Sequence, residues 1–267
     1  MKVNGKVIVV TGAGGGVGRE LVLQLIANGA SVAAIDINKE RLDETAKIAN
    51  NAAKCSVHIC DISKPEAVVA TAKEIIEKYV TVDGLINNAG IIQPFIKIND
   101  LDYAKINKIM NVNFYGSLYM VKAFLPHLLT RPEGHILNVS SMGGFFPFPG
   151  QSIYGASKAA IKLMTEGLYA ELSGTNVHVT IVFPGAVATD IAKNSGVKMS
   201  TPTTTDAKPA MKMLAPAKAA QIILDGMEKN RFQVFAGSDS KMMHFMYKLS
   251  PKSAIKMVTK MMAGQIQ

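Results

Sequence analysis

The stretch that most constrains what this chain can fold into is its opening order of strand, glycine turn and helix. Residues 6–10, Lys-Val-Ile-Val-Val, form a short continuous apolar run, the pattern of a strand buried on both faces. The run ends in Thr11-Gly12-Ala13-Gly14-Gly15-Gly16-Val17-Gly18, and residues 19–28 then carry helical periodicity. Glycines let the backbone come close to a pyrophosphate, and a helix N-terminus offers free N–H groups and the positive end of its dipole. The spacing is T-G-x-x-x-G-x-G through Gly12, Gly16 and Gly18, not G-x-G-x-x-G, because Val17 stands three places after Gly14. The bland alternative is a tight glycine turn with no ligand, and the flanking strand and helix count against it.

The same unit recurs. A second apolar strand, residues 31–35, ends at Asp36, whose carboxylate can accept hydrogen bonds from an adenosine ribose and would repel a 2′-phosphate. Gly15 and Ile37 supply no arginine for such a phosphate. Lys39 and Arg41 read as the solvated face of the next helix, so NAD is favoured over NADP. A third strand, residues 54–60, leads to Asp61-Ile62, where an acid meets the adenine edge. A helix runs from Pro65 to about Tyr79, and a fourth strand, residues 82–86, leads to Asn87-Asn88-Ala89-Gly90. Amides there can hold exposed backbone beside a cofactor. This alternation predicts an α/β fold with a doubly wound parallel sheet, helices on both faces, and ligands at the C-terminal strand ends.

The second half adds reactive groups. Residues 106–129 predict a long buried helix with Asn111-Val112-Asn113 in its first turns. A buried amide needs partners, so Asn113 is either a structural bridge or the holder of a water in a proton relay. A fifth strand, residues 134–139, ends in Ser140-Ser141. Thirteen residues after Ser141, Tyr154 opens a helix running through Lys158 to Leu172, with a phenylalanine-rich loop between them. Four residues apart, Tyr154 and Lys158 share a helix face, and an ammonium near a phenol favours phenolate, lowering a pKa that is ordinarily about 10. Tyr-x-x-x-Lys is common by chance; its weight comes from the strand-end hydroxyl before it. A sixth strand, residues 177–183, closes with Pro184-Gly185-Ala186-Val187-Ala188-Thr189, whose backbone groups and Thr189 suit a flat amide such as a nicotinamide.

From Thr11 to Thr189 the chain resembles the short-chain dehydrogenase/reductase family. The glycine turn, Asp36, Asp61, the Asn-Asn-Ala-Gly block, Asn113, Ser141, the Tyr154/Lys158 pair and the Pro184-Gly185 turn match in order and spacing. The resemblance implies a Rossmann-type fold and hydride transfer between NAD(H) and an alcohol or ketone. Tyr154 would be the general acid/base. Lys158 would hold the nicotinamide ribose and keep the tyrosine's pKa low, both residues belonging also to the cofactor-binding set. Ser141 would bond the reacting oxygen, with Ser140 as its fallback, and Asn113 would position a water linking Lys158 to solvent. The family also implies a homodimer or homotetramer.

The 267 residues fit one catalytic domain, residues 1–240, with a seventh strand at 232–236 after a helix at 217–230. Residues 190–216 are expected to form a mobile substrate-covering segment. Residues 145–153 carry no charge, so Phe145, Phe146, Phe148 and Ile153 are expected to line an apolar pocket. Residues 241–267 read as an amphipathic extension. Met242, Met243, Phe245, Met246, Leu249, Ile255, Val258, Met261 and Met262 form an apolar stripe, opposite Lys248, Lys252, Lys256 and Lys260. Three uses fit: packing on the domain or a second subunit, a lid over a bulky apolar substrate, or contact with an anionic membrane surface.

The net charge of +9 comes from scattered lysines without a nucleic-acid-binding motif, so nucleic acid is not an expected partner. Cys55 and Cys60 have no metal-binding spacing and read as free thiols of a cytoplasmic protein; no metal is expected. The functional expectation is an NAD-dependent oxidoreductase of a medium-sized, largely apolar secondary alcohol or ketone. Its alternatives are a 3-oxoacyl-thioester reductase using NADPH and a non-catalytic NAD-binding sensor or scaffold.

Overall fold

The computed structural model describes residues 1–197 and 213–262. Its first half places β1 (Val7–Thr11), α1 (Gly16–Ala27), β2 (Ser31–Asp36), α2 (Lys39–Ala49), β3 (Cys55–Ile59), α3 (Pro65–Tyr79) and β4 (Gly84–Asn87) in chain order. The strands are apolar throughout because the sheet is covered on both sides. In β1, Ile8 and Val10 pack with Leu21 and Leu25 of α1, while Val9 between them packs with Ile75 of α3 on the opposite face. Local chemistry sets the helix starts: the Asn38 side chain accepts from the Arg41 N–H at 2.9 Å, and Pro65 stands at the first position of α3.

After β4 come α4 (Tyr103–Met110), a π-helical turn (Asn111–Tyr115), α5 (Gly116–Leu128), β5 (Gly134–Val139) and a 3₁₀ turn (Met142–Gly144). Then follow α6 (Ser152–Glu171), β6 (Val177–Pro184), α7 (Ile191–Asn194), α8 (Pro216–Glu228), β7 (Gln233–Ala236), α9 (Ser238–Leu249) and α10 (Pro251–Met261). The seven strands are parallel in the order β3-β2-β1-β4-β5-β6-β7. The chain winds outward from β1 to β3 and then returns to lay β4 on the other side of β1. That reversal opens a crevice at the strand ends, the place where open α/β sheets bind ligands.

Two expectations change. The single helix over 106–129 is two helices separated by the π turn, and the amides sit in that turn, not in a helix's first turns. The wider turn leaves Asn111 exposed and Asn113 fully buried, and Gly116 behind it lets Ile62 pack against the backbone. The tail does form two helices, but its apolar residues do not share one buried stripe. Met243, Ala254 and Val258 pack on Phe146, whereas Met242, Phe245 and Leu249 are 50%, 63% and 70% exposed. The side of α9 that docks is the opposite one, pinned by the Ser240 hydroxyl donating to the Phe183 carbonyl at 2.8 Å. At the described ends of the 190–216 segment, α7 forms and Val187 bridges to Leu214. Residues 198–212 of that segment, and 263–267 of the tail, lie outside the described residues.

Candidate active site

The crevice at the ends of β1, β2 and β4 holds a cavity of about 380 Å³. Gly12, Gly16, Val17, Gly18, Asp36, Asp61, Ile62, Asn88, Ala89, Gly90 and Thr189 line it. The glycines are demanded by close approach. A β-carbon on Gly18 would lie 1.9 Å from the Gly12 carbonyl oxygen, and one on Gly12, which has φ +68°, would lie 2.9 Å from Ala89 Cα. Gly15 precedes α1 without a capping side chain, so the N–H groups of the first turn stay open to the cavity. Asn88 ties the two central strands: its Nδ2 donates to the Thr11 carbonyl at 3.1 Å, and its N–H donates to the Thr11 hydroxyl at 3.0 Å.

Asp36 is fixed from two sides, accepting from the Gly14 N–H and the Asn38 N–H at 2.9 Å each. Gly14 therefore serves as a brace for that carboxylate and is not on the cavity wall. Arg41 corrects the sequence reading. Lys39 is exposed and pairs with Asp43, as a solvated face requires, but Arg41 has its Cβ beside Gly14 and is one of the residues lining the cavity with Asp36. Lys108, Val112, Ile191 and Asn194 are also on the wall and were not anticipated. Pro184, Gly185 and Val187, expected to hold the cofactor, are not among the described residues that line the cavity. The Asp239 carboxylate, from the first turn of α9, accepts from the Ala186 N–H at 2.7 Å, and Val187 faces Leu214. Fit to a dinucleotide is good: a glycine cradle that any side chain would fill, a free helix N-terminus and a carboxylate at the second strand's end.

A second cavity, about 330 Å³, begins where β5 ends. Ser141 and Tyr154 share it, so the strand-end hydroxyl and the helix-start phenol do converge. Ser141 caps the 3₁₀ turn by accepting from the Gly143 N–H at 3.1 Å. Ser140 is excluded as its substitute, because its buried hydroxyl donates to the Lys158 carbonyl at 2.8 Å. Burial raises the Tyr154 pKa, and the Ser141 hydroxyl beside it draws it partly back. Lys158 is 4% exposed; burial lowers its pKa to about 8, and its ammonium donates to the Val139 carbonyl at 3.0 Å. The expectation that Lys158 lowers the tyrosine's pKa is therefore not met: the ammonium is turned to the end of β5, and desolvation governs the phenol.

Asn113 shows the bonds of a bridge. Its Oδ1 accepts from the Ile91 N–H at 2.8 Å, and its Nδ2 donates to the Ile91 carbonyl at 3.0 Å and to Ser157 Oγ at 2.9 Å. It still stands beside the lysine: a β-carbon on Gly90 would lie 3.1 Å from Lys158 Nζ and 3.3 Å from Asn113 Oδ1.

The residue that sequence reasoning missed is Gln93, two places further along the same loop and fully buried. Its Oε1 accepts from the Ile153 N–H at 2.9 Å and the Tyr154 N–H at 3.2 Å. Its Nε2 donates to the Gly150 carbonyl at 2.7 Å, and Gln151 Nε2 donates back to the Gln93 carbonyl at 2.6 Å. Gln93 thus caps α6 from a distant loop, at the N–H groups a helix leaves unpaired, and sets where Tyr154 begins. No local spacing signals such a cap.

The rest of the second cavity is Ile92, Phe95, Gly143, Phe148, Gln151, Gly155 and Met262. Of the four side chains expected there, only Phe148 lines it. Phe146 is fully buried beneath α9 and α10, and Phe145 packs edge-on to Phe183, because the 3₁₀ turn carries both inward. Ile153 is not on the wall, its N–H being directed at Gln93. Met262 is the tail's single contribution among the described residues.

Known proteins share this sequence pattern and fold. Residues 6–200 match the family described as short chain dehydrogenase. The Mycobacterium tuberculosis protein named as the oxidoreductase SadH is 34% identical over 260 residues, covering 95% of this chain and 94% of its own. A short-chain dehydrogenase/reductase from Burkholderia phymatum, solved in complex with NAD, superposes with a TM-score of 0.82 at 25% identity, over 93% of this chain and 96% of that one. A short chain dehydrogenase from Burkholderia cenocepacia, solved with NADP, gives 0.80 at 28% identity, over 97% and 99%. This chain belongs to the short-chain dehydrogenase/reductase family and is an NAD(P)-dependent oxidoreductase.

Proposed function

We propose that this enzyme prefers NAD(H) and interconverts a medium-sized apolar ketone with its secondary alcohol. The observation that carries the substrate reading is the wall of the 330 Å³ cavity: among the described residues it is apolar around Ser141 and Tyr154 apart from Gln151, with no charged side chain. A carboxylate- or phosphate-bearing substrate would lose its hydration there without gaining a counter-charge. The same feature counts against a 3-oxoacyl-thioester carrier substrate. Arg41 on the cofactor wall is the one feature on the NADPH side. Asp36, held toward the same space by two backbone N–H groups, outweighs it, because a 2′-phosphate would sit against a carboxylate.

The roles follow from position. NAD(H), when bound, supplies or accepts the hydride. Ser141 bonds the carbonyl or hydroxyl oxygen of the substrate, and Tyr154 exchanges its proton with that oxygen. Burial raises the phenol's pKa further above neutral, so Tyr154 carries the proton that ketone reduction requires. Lys158 lies under Gly90, where it can reach the nicotinamide ribose, and Asn113 holds the Gly90–Ile91 backbone in place over it and next to any water that serves the lysine. A non-catalytic sensor would have no use for Ser141, Tyr154 and Lys158 together. The two cysteines, buried and with thiol pKa values raised by burial, suit a reducing cytoplasm.

A panel of ketones and secondary alcohols, followed at the absorbance of reduced nicotinamide, tests the reading. Apolar ketones should be reduced with NADH in preference to NADPH, at a rate that stays level from pH 7 to pH 9, because a phenol held above its ordinary pKa of about 10 keeps its proton across that range. Preference for NADPH, or for a charged acyl carrier substrate, would overturn it.

A further inference from the structure

The face of α9 turned away from the domain is apolar. Met242, Phe245 and Leu249 recur at helical spacing of three and four, each at least half exposed, and Ile255 and Met261 of α10 are exposed as well. Folding does not need that face, since α9 docks through Ser240 and Met243 on its other side. Around it stand Lys241, Lys248, Lys252, Lys256 and Lys260, all exposed. From Ser238 to Gln267 the sole acidic residue is Asp239, and its carboxylate is engaged with the Ala186 backbone. An exposed apolar stripe among lysines, with no anion to neutralise them, is the composition of a helix that lies in a lipid headgroup layer. A second copy of the same face would bring like charges together.

We propose that the α9–α10 hairpin seats this enzyme on an anionic lipid surface, with Met242, Phe245 and Leu249 entering the headgroup layer and the tail lysines facing lipid phosphates. The contact is peripheral, for no described helix is long and apolar enough to cross a membrane. The seat adjoins the second cavity, because Met262, directly after α10, is on that cavity's wall. Resting on the substrate reading above, this places the mouth of an apolar pocket next to a phase in which apolar ketones dissolve.

Vesicle flotation of the purified full chain tests the seat without reference to any substrate. Wild type should float with vesicles of phosphatidylcholine and phosphatidylglycerol at low salt, remain behind with phosphatidylcholine alone, and be released by high salt. The double variant Phe245→Ser/Leu249→Ser and the triple variant Lys252→Gln/Lys256→Gln/Lys260→Gln should each lower the bound fraction about tenfold. Both should keep the wild-type melting temperature and NADH binding, which shows that they fold. Equal binding to neutral vesicles, no flotation of wild type, or unchanged flotation of the variants would overturn the proposal. A fall in light-scattering mass for the Phe245→Ser/Leu249→Ser protein would assign the stripe to a second copy instead. Retention on polyglutamate without flotation would assign it to an acidic protein.

Discussion

The crevice between β1 and β4 and the cavity beneath Phe148 are built from different materials. The crevice is made of backbone: glycines that approach one another to within contact distance, a bare helix N-terminus, and side chains such as Asn88 and Thr11 that bond main-chain atoms. The cavity is made of side chains, with Phe95, Phe148 and Met262 supplying its walls and a glutamine from another loop fixing its tyrosine. Backbone sites tolerate almost no substitution and so bind one ligand class across many proteins. Side-chain walls can be exchanged by volume and polarity while the frame stays, and that is where relatives of one fold diverge in substrate.

Substitutions can break or sharpen this contrast. The largest effect is expected at Gly18. A valine there would drive its β-carbon into the Gly12 carbonyl, and NADH affinity should fall by about a thousandfold or more, measured by the fluorescence of bound NADH. Near-normal binding would mean that the cradle is not backbone-built.

Next is Lys158→Met, which should remove turnover and yet stabilise the protein at pH 7. Burial holds the lysine's pKa at about 8 against an ordinary 10.5, so the folded state binds fewer protons between those values. Stability of the wild type therefore rises as pH climbs from about 8 toward 10.5, and the full penalty, about 3 kcal/mol, applies below pH 8. Losing the bond to the Val139 carbonyl returns about 1 kcal/mol of that, leaving methionine ahead by about 2 kcal/mol at neutral pH. Urea unfolding at pH 7 and pH 10 checks the sign and the narrowing of the gap.

Gln93→Leu comes third. It leaves the Ile153 and Tyr154 N–H groups unmet and frees the start of α6. Ketone reduction should slow about 10- to 100-fold in kcat with NADH affinity unchanged. A loss seen equally in NADH binding would make Gln93 a general structural residue instead of a positioning one.

Phe148→Ala should have the smallest effect: KM for an apolar ketone rises a few-fold to about tenfold, with kcat and NADH binding nearly unchanged.

What could be read in the sequence follows the same division. Strands buried on both faces appear as continuous apolar runs, and glycines forced by close approach stand at fixed intervals, so the fold and most of the crevice were legible. Gln93 was not, because the helix it caps begins about 60 residues away and nothing local marks the pair. The break at Asn111–Tyr115 was hidden because a π turn keeps helical hydropathy while shifting which residues face inward. Arg41 was misplaced for a similar reason: periodicity assigns a helix face but not which loop lies against it. The tail shows this limit most plainly, since its hydropathy gives the apolar residues as one stripe and leaves open which of them pack on the domain. Only the packing of Met243 and Val258 on Phe146 reveals which apolar residues remain in solvent.

The account rests on Tyr154 acting on substrate within the apolar cavity while the backbone crevice holds the cofactor independently. Tyr154→Phe tests it most directly, because NADH binding and turnover can be measured on one sample; the chain has no tryptophan to interfere with NADH fluorescence. The prediction is unchanged NADH affinity with ketone reduction down by about a thousandfold. Turnover near the wild-type rate with the phenylalanine in place would contradict it.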